Sequence, residues 1–132
     1  MKLIVVPGSF AVCRFAGEVD VNGLAQPWFL ARTQDEVSLV CRSECVPAGG
    51  STVEDGWALF KVGETLEFDL VGVIAQISRV LADEKIPVFV VSTFLTDYVL
   101  VKTDRLPDAI AALTKDGHVY SPPEEGWQAR RD

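Results

Sequence analysis

The sequence predicts an α+β fold whose second half forms a ferredoxin-like lobe with the element order βαββαβ. Three observations lead to this prediction. An apolar stripe with helical spacing runs from residue 70 to residue 81, and two β-rich runs follow it at 86–94 and 98–102. A second helical pattern then opens with Pro107, which suits a first helical position, and a last short strand follows it.

The first half of the chain contains strand patterns but no clear pair of helices. Residues 3–6 and 10–15 are predicted to form a hairpin, because the Pro-Gly-Ser sequence between them is a turn signal. Two further strands are predicted at 28–32 and 36–42, joined by a polar turn.

A stretch rich in glycine, residues 46–56, separates the two halves and is predicted to be the boundary between lobes. We therefore expect a first lobe at 1–52, a second lobe at 53–120 and a C-terminal tail at 121–132. A strand is predicted at 57–62, where apolar and polar residues alternate.

The first helix of the second lobe has a start signal and an apolar face. Asp69 lies at the predicted N-cap position, where its carboxylate can accept hydrogen bonds from first-turn amides. The apolar positions recur at i, i+3, i+4, i+7 and i+11, namely Leu70, Val73, Ile74, Ile77 and Leu81. Residues 88–91, in the run after the helix, are all apolar, which predicts a strand buried on both faces and a second surface that covers the sheet.

Composition excludes several classes of partner. The net charge is −7 with only 12 basic residues, which are scattered, so nucleic-acid binding is not expected. No apolar run is long enough to span a membrane, and the run at 3–6 is too short for a signal peptide. Three cysteines cannot all pair within one chain, so we expect reduced, buried thiols and a cytoplasmic protein.

The sequence lacks the motifs of common catalytic and metal sites. His118 is the only histidine, and neither a nucleophile–base pair nor a phosphate-binding glycine loop is present. The spacing of Cys41 and Cys45 is not that of a zinc knuckle, and no second pair exists. We therefore expect no catalytic residues, no metal and no cofactor.

The second lobe resembles the ACT domain family in three segments: 68–75 (FDLVGVIA), 86–88 (IPV) and 92–101 (STFLTDYVLV). The resemblance covers about residues 57 to 120. It extends to tandem ACT-like proteins related to the ACT regions of aspartate kinases and to the cytosolic arginine sensors of animals. The first lobe is similar to a degenerate second copy, and its segment 7–14 (PGSFAVCR) resembles the start of small stand-alone bacterial members.

The resemblance implies amino-acid sensing, with the effector bound between ACT units by the loop that opens the first helix and by the neighbouring strand. First-turn amides at the positive end of a helix suit a carboxylate, and hydroxyls with a carboxylate suit an ammonium group. The expected ligand-binding residues are Asp69, Leu70, Val71, Gly72 and Val73 at the helix opening, and Ser92, Thr93, Phe94, Thr96 and Asp97 at the turn.

Each of the most suggestive residues also has a structural interpretation. Gly72 serves either close approach of a ligand or tight helix packing. Asp69 is better explained as a helix cap than as a ligand group, and its charge would repel a nearby carboxylate. Asp97 either binds the ligand or stabilises the hairpin turn.

We therefore expect a non-catalytic regulatory protein that binds a free amino acid or similar zwitterion between ACT lobes, within the chain or across a homodimer. The ligand would shift the population of lobe arrangements that a protein partner reads. The alternative is a dimerising interaction module with a vestigial ligand site.

Overall fold

The computed structural model describes residues 2–50, 52–63, 72–117 and 119–121. These residues form an α+β structure with a mostly antiparallel sheet and two α-helices. The strands are β1 (Lys2–Phe15), β2 (Phe29–Arg32), β3 (Val37–Arg42), β4 (Thr52–Val62), β5 (Phe89–Ser92), β6 (Asp97–Lys102) and β7 (Val119–Ser121). The helices are α1 (Val73–Asp83) and α2 (Leu106–Lys115), and short 3₁₀ turns lie at Ser43–Cys45 and Thr103–Arg105.

The described residues divide into two compact units. Unit 1 comprises residues 2–7, 58–63, 72–117 and 119–121, and unit 2 is Gly8–Trp57. The long strands β1 and β4 each contribute residues to both units.

Unit 1 contains both helices and the strands around them. Strand β5 pairs antiparallel with β6, β6 neighbours β4, and β4 neighbours β1. The first residues of β1 also pair in parallel with β7, so the N-terminal strand lies between β4 and β7. The predicted βαββαβ lobe did not include this additional strand.

The approach of β4 to β1 in unit 1 depends on Gly63. Its amide donates to the Lys2 carbonyl at 2.8 Å. An added Cβ would lie 2.7 Å from Ile4 Cδ1 and 2.9 Å from Ile4 Cγ1, closer than packed carbon atoms tolerate. The absence of a side chain therefore lets the chain after β4 pass close to β1.

The core of unit 1 lies between its strands and the two helices, as the apolar stripe of α1 predicts. Val73, Ile77 and Leu81 are buried, and each contributes about 1.5–3 kcal/mol by leaving water. The full buried cluster is Leu3, Ala58, Phe60, Val62, Val73, Ile77, Leu81, Ile86, Val99, Val101, Ala109 and Leu113. The prediction of Pro107 in the first turn of the second helix is also confirmed.

Unit 2 is built on β3, which pairs antiparallel with β1 on one side and with β2 on the other. Its core contains Ala11, Cys13, Phe15, Leu24, Val37, Leu39 and Cys41. Residues 16–28 and 46–50 contain no α-helix. Side chains of these segments, including Val19, Val21 and Trp28, pack against the core instead.

Two sequence predictions about strands are wrong. Residues 3–6 and 10–15 do not form a hairpin, because β1 runs straight through Pro7 and Gly8. Gly8 adopts φ +101°, a left-handed backbone that glycine tolerates, and the chain does not reverse its direction there. The first residues of β1 pair with β7, and its last residues pair with β3. Strand β5 is half-buried rather than buried on both faces, since it is the last strand beyond β6.

Candidate functional site

The turn between β5 and β6 is closed by its two threonines. The Thr93 amide and hydroxyl both donate to the Thr96 carbonyl at 2.9 Å, and the Thr96 amide donates to Thr93 Oγ1 at 3.4 Å. Thr96 Oγ1 in turn donates to the Val62 carbonyl at 3.0 Å. The hydroxyl protons of both threonines are thus used inside the protein, and the turn is joined to the end of β4.

The opening of α1 presents backbone amides that have no acceptor within the helix. The N-cap residue is Gly72, three residues later than predicted, and no side-chain hydrogen bond from a described residue caps this end of the helix. The Gln76 amide donates to the Gly72 carbonyl at 2.9 Å. The preceding amides of Val73, Ile74 and Ala75 therefore have no acceptor within the helix and lie at the positive end of its dipole.

The backbone of Gly72 gives a reason for glycine other than tight packing. It has φ +83° and ψ 12°, a left-handed conformation that favours glycine. An added Cβ would meet no described atom within 4 Å, so tight packing within the described residues is not the reason for glycine here. The predicted site residues Asp69, Leu70 and Val71, and also His118, lie outside the described residues.

Ser92 and Asp97 pair across the hairpin beside the turn. Ser92 is exposed, Asp97 is half-buried, and within the described part of the chain the Asp97 carboxylate has no hydrogen-bond or ion-pair partner. Alternation along β6 places Asp97 on the face of Val99, which shares a buried cluster with Val62 and Val73. The Asp97 carboxylate therefore lies on the sheet face that α1 covers.

The tip of the same turn is apolar and open to solvent. Phe94 is 99% exposed and Leu95 is 64% exposed. A turn of this type does not require apolar residues at its tip, because its hydrogen bonds involve only the two threonines.

The two hairpins repeat the same local geometry. In unit 2, Thr33 and Glu36 close the β2–β3 turn with the same amide-to-carbonyl bond of 2.9 Å. Arg32 pairs with Val37 as Ser92 pairs with Asp97, sixty residues later, and a 3₁₀ turn follows each second strand. At this offset of sixty residues Pro27, Phe29, Thr33 and Pro47 are matched by Pro87, Phe89, Thr93 and Pro107, which is the sequence-level signal of the repeat.

The cysteines have the character of core residues. Cys13 and Cys41 are free and buried, and Cys45 is free and half-buried. Burial raises the pKa of Cys13, and it raises the pKa of Cys41 to about 12, so both thiols stay protonated and unreactive near neutral pH. Among the residues described, no group of three His, Cys, Asp or Glu side chains is placed to hold a metal ion.

An apolar pocket in unit 1 is too small to hold an amino acid. Its volume is about 10 Å³, the space of roughly one water molecule. It is lined by Leu3, Val5, Phe60, Ile110, Leu113 and Thr114.

The strands and helices of unit 1, with a helix N-terminus and a polar turn flanking the end of β4, define a ferredoxin-like α+β domain. Residues 52–115 match the family model of the ACT domain. Neither described helix is long and apolar enough to cross a membrane.

Solved structures share this fold. A protein of Agobacterium tumefaciens is 28% identical, with a TM-score of 0.80 and a match over 96% of each chain. A Vibrio cholerae protein of unknown function, described as a possible transport protein, is 18% identical over 86% of this chain and 88% of its own, with a TM-score of 0.64. The ligand-free regulatory subunit of aspartate kinase from Thermus thermophilus is 9% identical over 86% of this chain and 95% of its own, with a TM-score of 0.56.

Proposed function

We propose that this protein is a non-catalytic regulatory protein that binds a free amino acid, or a similar small zwitterion, at its ACT domain. The observation that carries the proposal is the half-buried Asp97 carboxylate, which has no partner among the described residues. Its sheet face is covered by α1, whose first amides have no acceptor within the helix. A zwitterion needs one acceptor and one set of donors, and these groups supply both.

In this proposal the ligand carboxylate binds the amides at the start of α1, and its ammonium group binds Asp97. Ser92 adds a hydroxyl beside Asp97. Thr93 and Thr96 hold the turn in shape and tie it to β4, while the exposed Phe94 ring is available to the ligand side chain. Asp69, Leu70 and Val71, which precede Gly72 in the sequence, are included in the proposed site.

We also propose that unit 2 derives from a degenerate ACT-type lobe. The matched hairpins and 3₁₀ turns support this origin, and the helices of the lobe are replaced by the irregular segments 16–28 and 46–50. The proposed domain limits are 1–52 for this lobe and 53–120 for the ACT domain, with a tail at 121–132.

Regulation follows from a population shift. A ligand that binds one arrangement of ACT-type lobes more tightly stabilises that arrangement, which a protein partner can then distinguish. We propose that this occurs in a cytoplasmic homodimer, in which a second copy is available to complete the site.

A thermal-shift screen against the twenty amino acids tests the proposal. A ligand present at about a hundred times its dissociation constant adds about 2.7 kcal/mol, which raises the melting temperature by several degrees. Asp97→Asn should abolish the shift while leaving the melting temperature of the free protein nearly unchanged.

The matched control is Asp35→Asn, which neutralises an exposed carboxylate in the turn of unit 2 and should retain the shift. Unchanged melting curves with all twenty amino acids at saturating concentration would refute ligand binding. A shift that survives Asp97→Asn would remove Asp97 from the site.

The alternative function is a dimerising interaction module with a vestigial site. The exposed Phe94 and Leu95 favour it, because the matched turn of unit 2 has Gln34 and Asp35 at its tip. Analytical ultracentrifugation of the ligand-free protein tests this alternative. The double variant Phe94→Ser, Leu95→Ser should dissociate a dimer built on the tip, and a dimer of unchanged affinity would exclude that role.

A further inference from the structure

An ion pair in unit 2 joins the end of β2 to the segment that follows β1. Arg32 Nη1 and Nη2 donate to the two carboxylate oxygens of Glu18 at 2.6 and 2.7 Å. This is the bidentate geometry in which a guanidinium recognises a carboxylate. The guanidinium also holds the pKa of Glu18 below its usual range.

The pair occupies the counterpart of the proposed ligand site. Arg32 and Val37 stand opposite each other in unit 2 as Ser92 and Asp97 do in unit 1. In unit 2 the end of β1 lies beside this position, because Phe15 pairs with Val37. In unit 1 the end of β4 lies beside the turn in the same way, because the Thr96 hydroxyl donates to the Val62 carbonyl. Glu18 lies in the segment that follows β1, which corresponds in chain order to the segment that follows β4 in unit 1.

The side chains at this place do not suit a free amino acid. Val37, which takes the position of Asp97, is only 6% exposed and offers no acceptor for an ammonium group. Arg32 can bind a carboxylate, but its two outward nitrogens are already bonded to Glu18. The neighbouring cation Arg14 lies 4.0 Å from Glu36.

We propose that Glu18 is a built-in carboxylate that occupies an anion-binding position on Arg32 and excludes free carboxylates from unit 2. The inference rests on the proposed function for the correspondence between the two sites. It has two consequences. The chain binds one amino acid, at its ACT domain, and neutralising Glu18 opens a second site that accepts a carboxylate without an ammonium group.

The test is a titration with acetate, followed by NMR through the Arg32 Nε–H resonance, in the full-length native protein and in Glu18→Gln. Acetate is the appropriate probe because Val37 leaves no partner for an ammonium group. We expect a saturable shift in Glu18→Gln and about two- to fivefold weaker binding in the native chain, because the Arg32 and Glu18 side chains are 53% and 81% exposed and an exposed ion pair competes only weakly. Glu36→Gln removes the carboxylate facing Arg14 and is the matched control, which should behave as the native chain.

Equal responses of native protein and Glu18→Gln would overturn the proposal, because Glu18 would then exclude nothing. A lack of saturation in Glu18→Gln would also overturn it, because Arg32 would then not be an anion site. Amide dispersion in the same spectra reports folding, and Glu18→Ala repeats the test with a different side chain. Binding of amino acids is followed separately at the Val73 and Asp97 amides, so a failure of the proposed function is seen independently of Arg32.

Discussion

Replacement of Gly72 tests both the backbone conformation at the opening of α1 and its place in the ligand site. An L-residue at φ +83° incurs roughly 1–2 kcal/mol of steric cost, whereas alanine recovers roughly 0.4–1 kcal/mol by restricting the unfolded chain. No described atom lies within 4 Å of the added Cβ, so within the described residues no packing cost is added. Gly72→Ala should therefore lower the free energy of unfolding by about 1 kcal/mol.

The assay is thermal unfolding followed by circular dichroism, in which 1 kcal/mol corresponds to roughly 4 °C for a chain of this length. Gly72→Asn should lose roughly half as much as Gly72→Ala, because asparagine tolerates left-handed backbone better than alanine does. A larger loss for asparagine would show that space, not backbone conformation, selects glycine. An alanine variant as stable as the native protein would refute the left-handed assignment.

The same two variants separate stability from binding. If a ligand approaches the first turn of α1, Gly72→Asn should weaken the amino-acid thermal shift more than its small stability loss explains, because its side chain projects at the helix opening. A full thermal shift in Gly72→Asn would exclude close approach of the ligand to this residue.

Three further predictions follow from contacts in the two units. Gly63→Ala should lower the free energy of unfolding by about 1–3 kcal/mol in chemical denaturation, because the added Cβ overlaps Ile4 of β1. Gly17→Ala is the control and should cost little, because open space surrounds Gly17. Equal losses in the two variants would contradict the overlap with β1. A thiol reagent should modify Cys45 first in the native protein, because the thiols of Cys13 and Cys41 are buried. Cys45→Ser should remove this fast phase of labelling. Rapid labelling of a second thiol in the native protein would contradict the burial of Cys13 and Cys41. NMR titration should find the pKa of Glu18 below its ordinary value in the native protein and restored to that value in Arg32→Gln. The contribution of the ion pair to stability is then present at neutral pH and lost as pH falls through the lowered pKa. An ordinary pKa of Glu18 in the native protein would contradict the ion pair.

Local patterns in the sequence were sufficient for most elements of unit 1. The spacing of Ile77 and Leu81 predicts a helix face that the core buries, and the structure confirms it. The strands at 28–32 and 36–42 were also predicted, because apolar runs flanking a polar turn have few alternatives. The start of α1 was predicted too early, because Asp69 suits an N-cap but Gly72 has the left-handed backbone at which the helix begins.

The candidate site was predicted only in part. The sequence identified Ser92 and Asp97 as polar residues in an apolar hairpin, but not that the hydroxyl protons of Thr93 and Thr96 are used internally. It also gave no indication that Glu18 meets Arg32, since a long-range ion pair has no local pattern.

The sequence by itself determined the elements that depend on neighbouring residues: the amphipathic helix, the polar turns and the glycine positions. The tertiary structure alone decided which strands pair. It carried β1 through Gly8 into both units, set its first residues between β4 and β7, and made β5 a half-buried edge. Strand pairing is non-local, because the hydrogen bonds of a strand are satisfied equally well by any partner of suitable register. For that reason the register of the two matched hairpins, which sets Ser92 opposite Asp97 and Arg32 opposite Val37, became visible only in the folded chain.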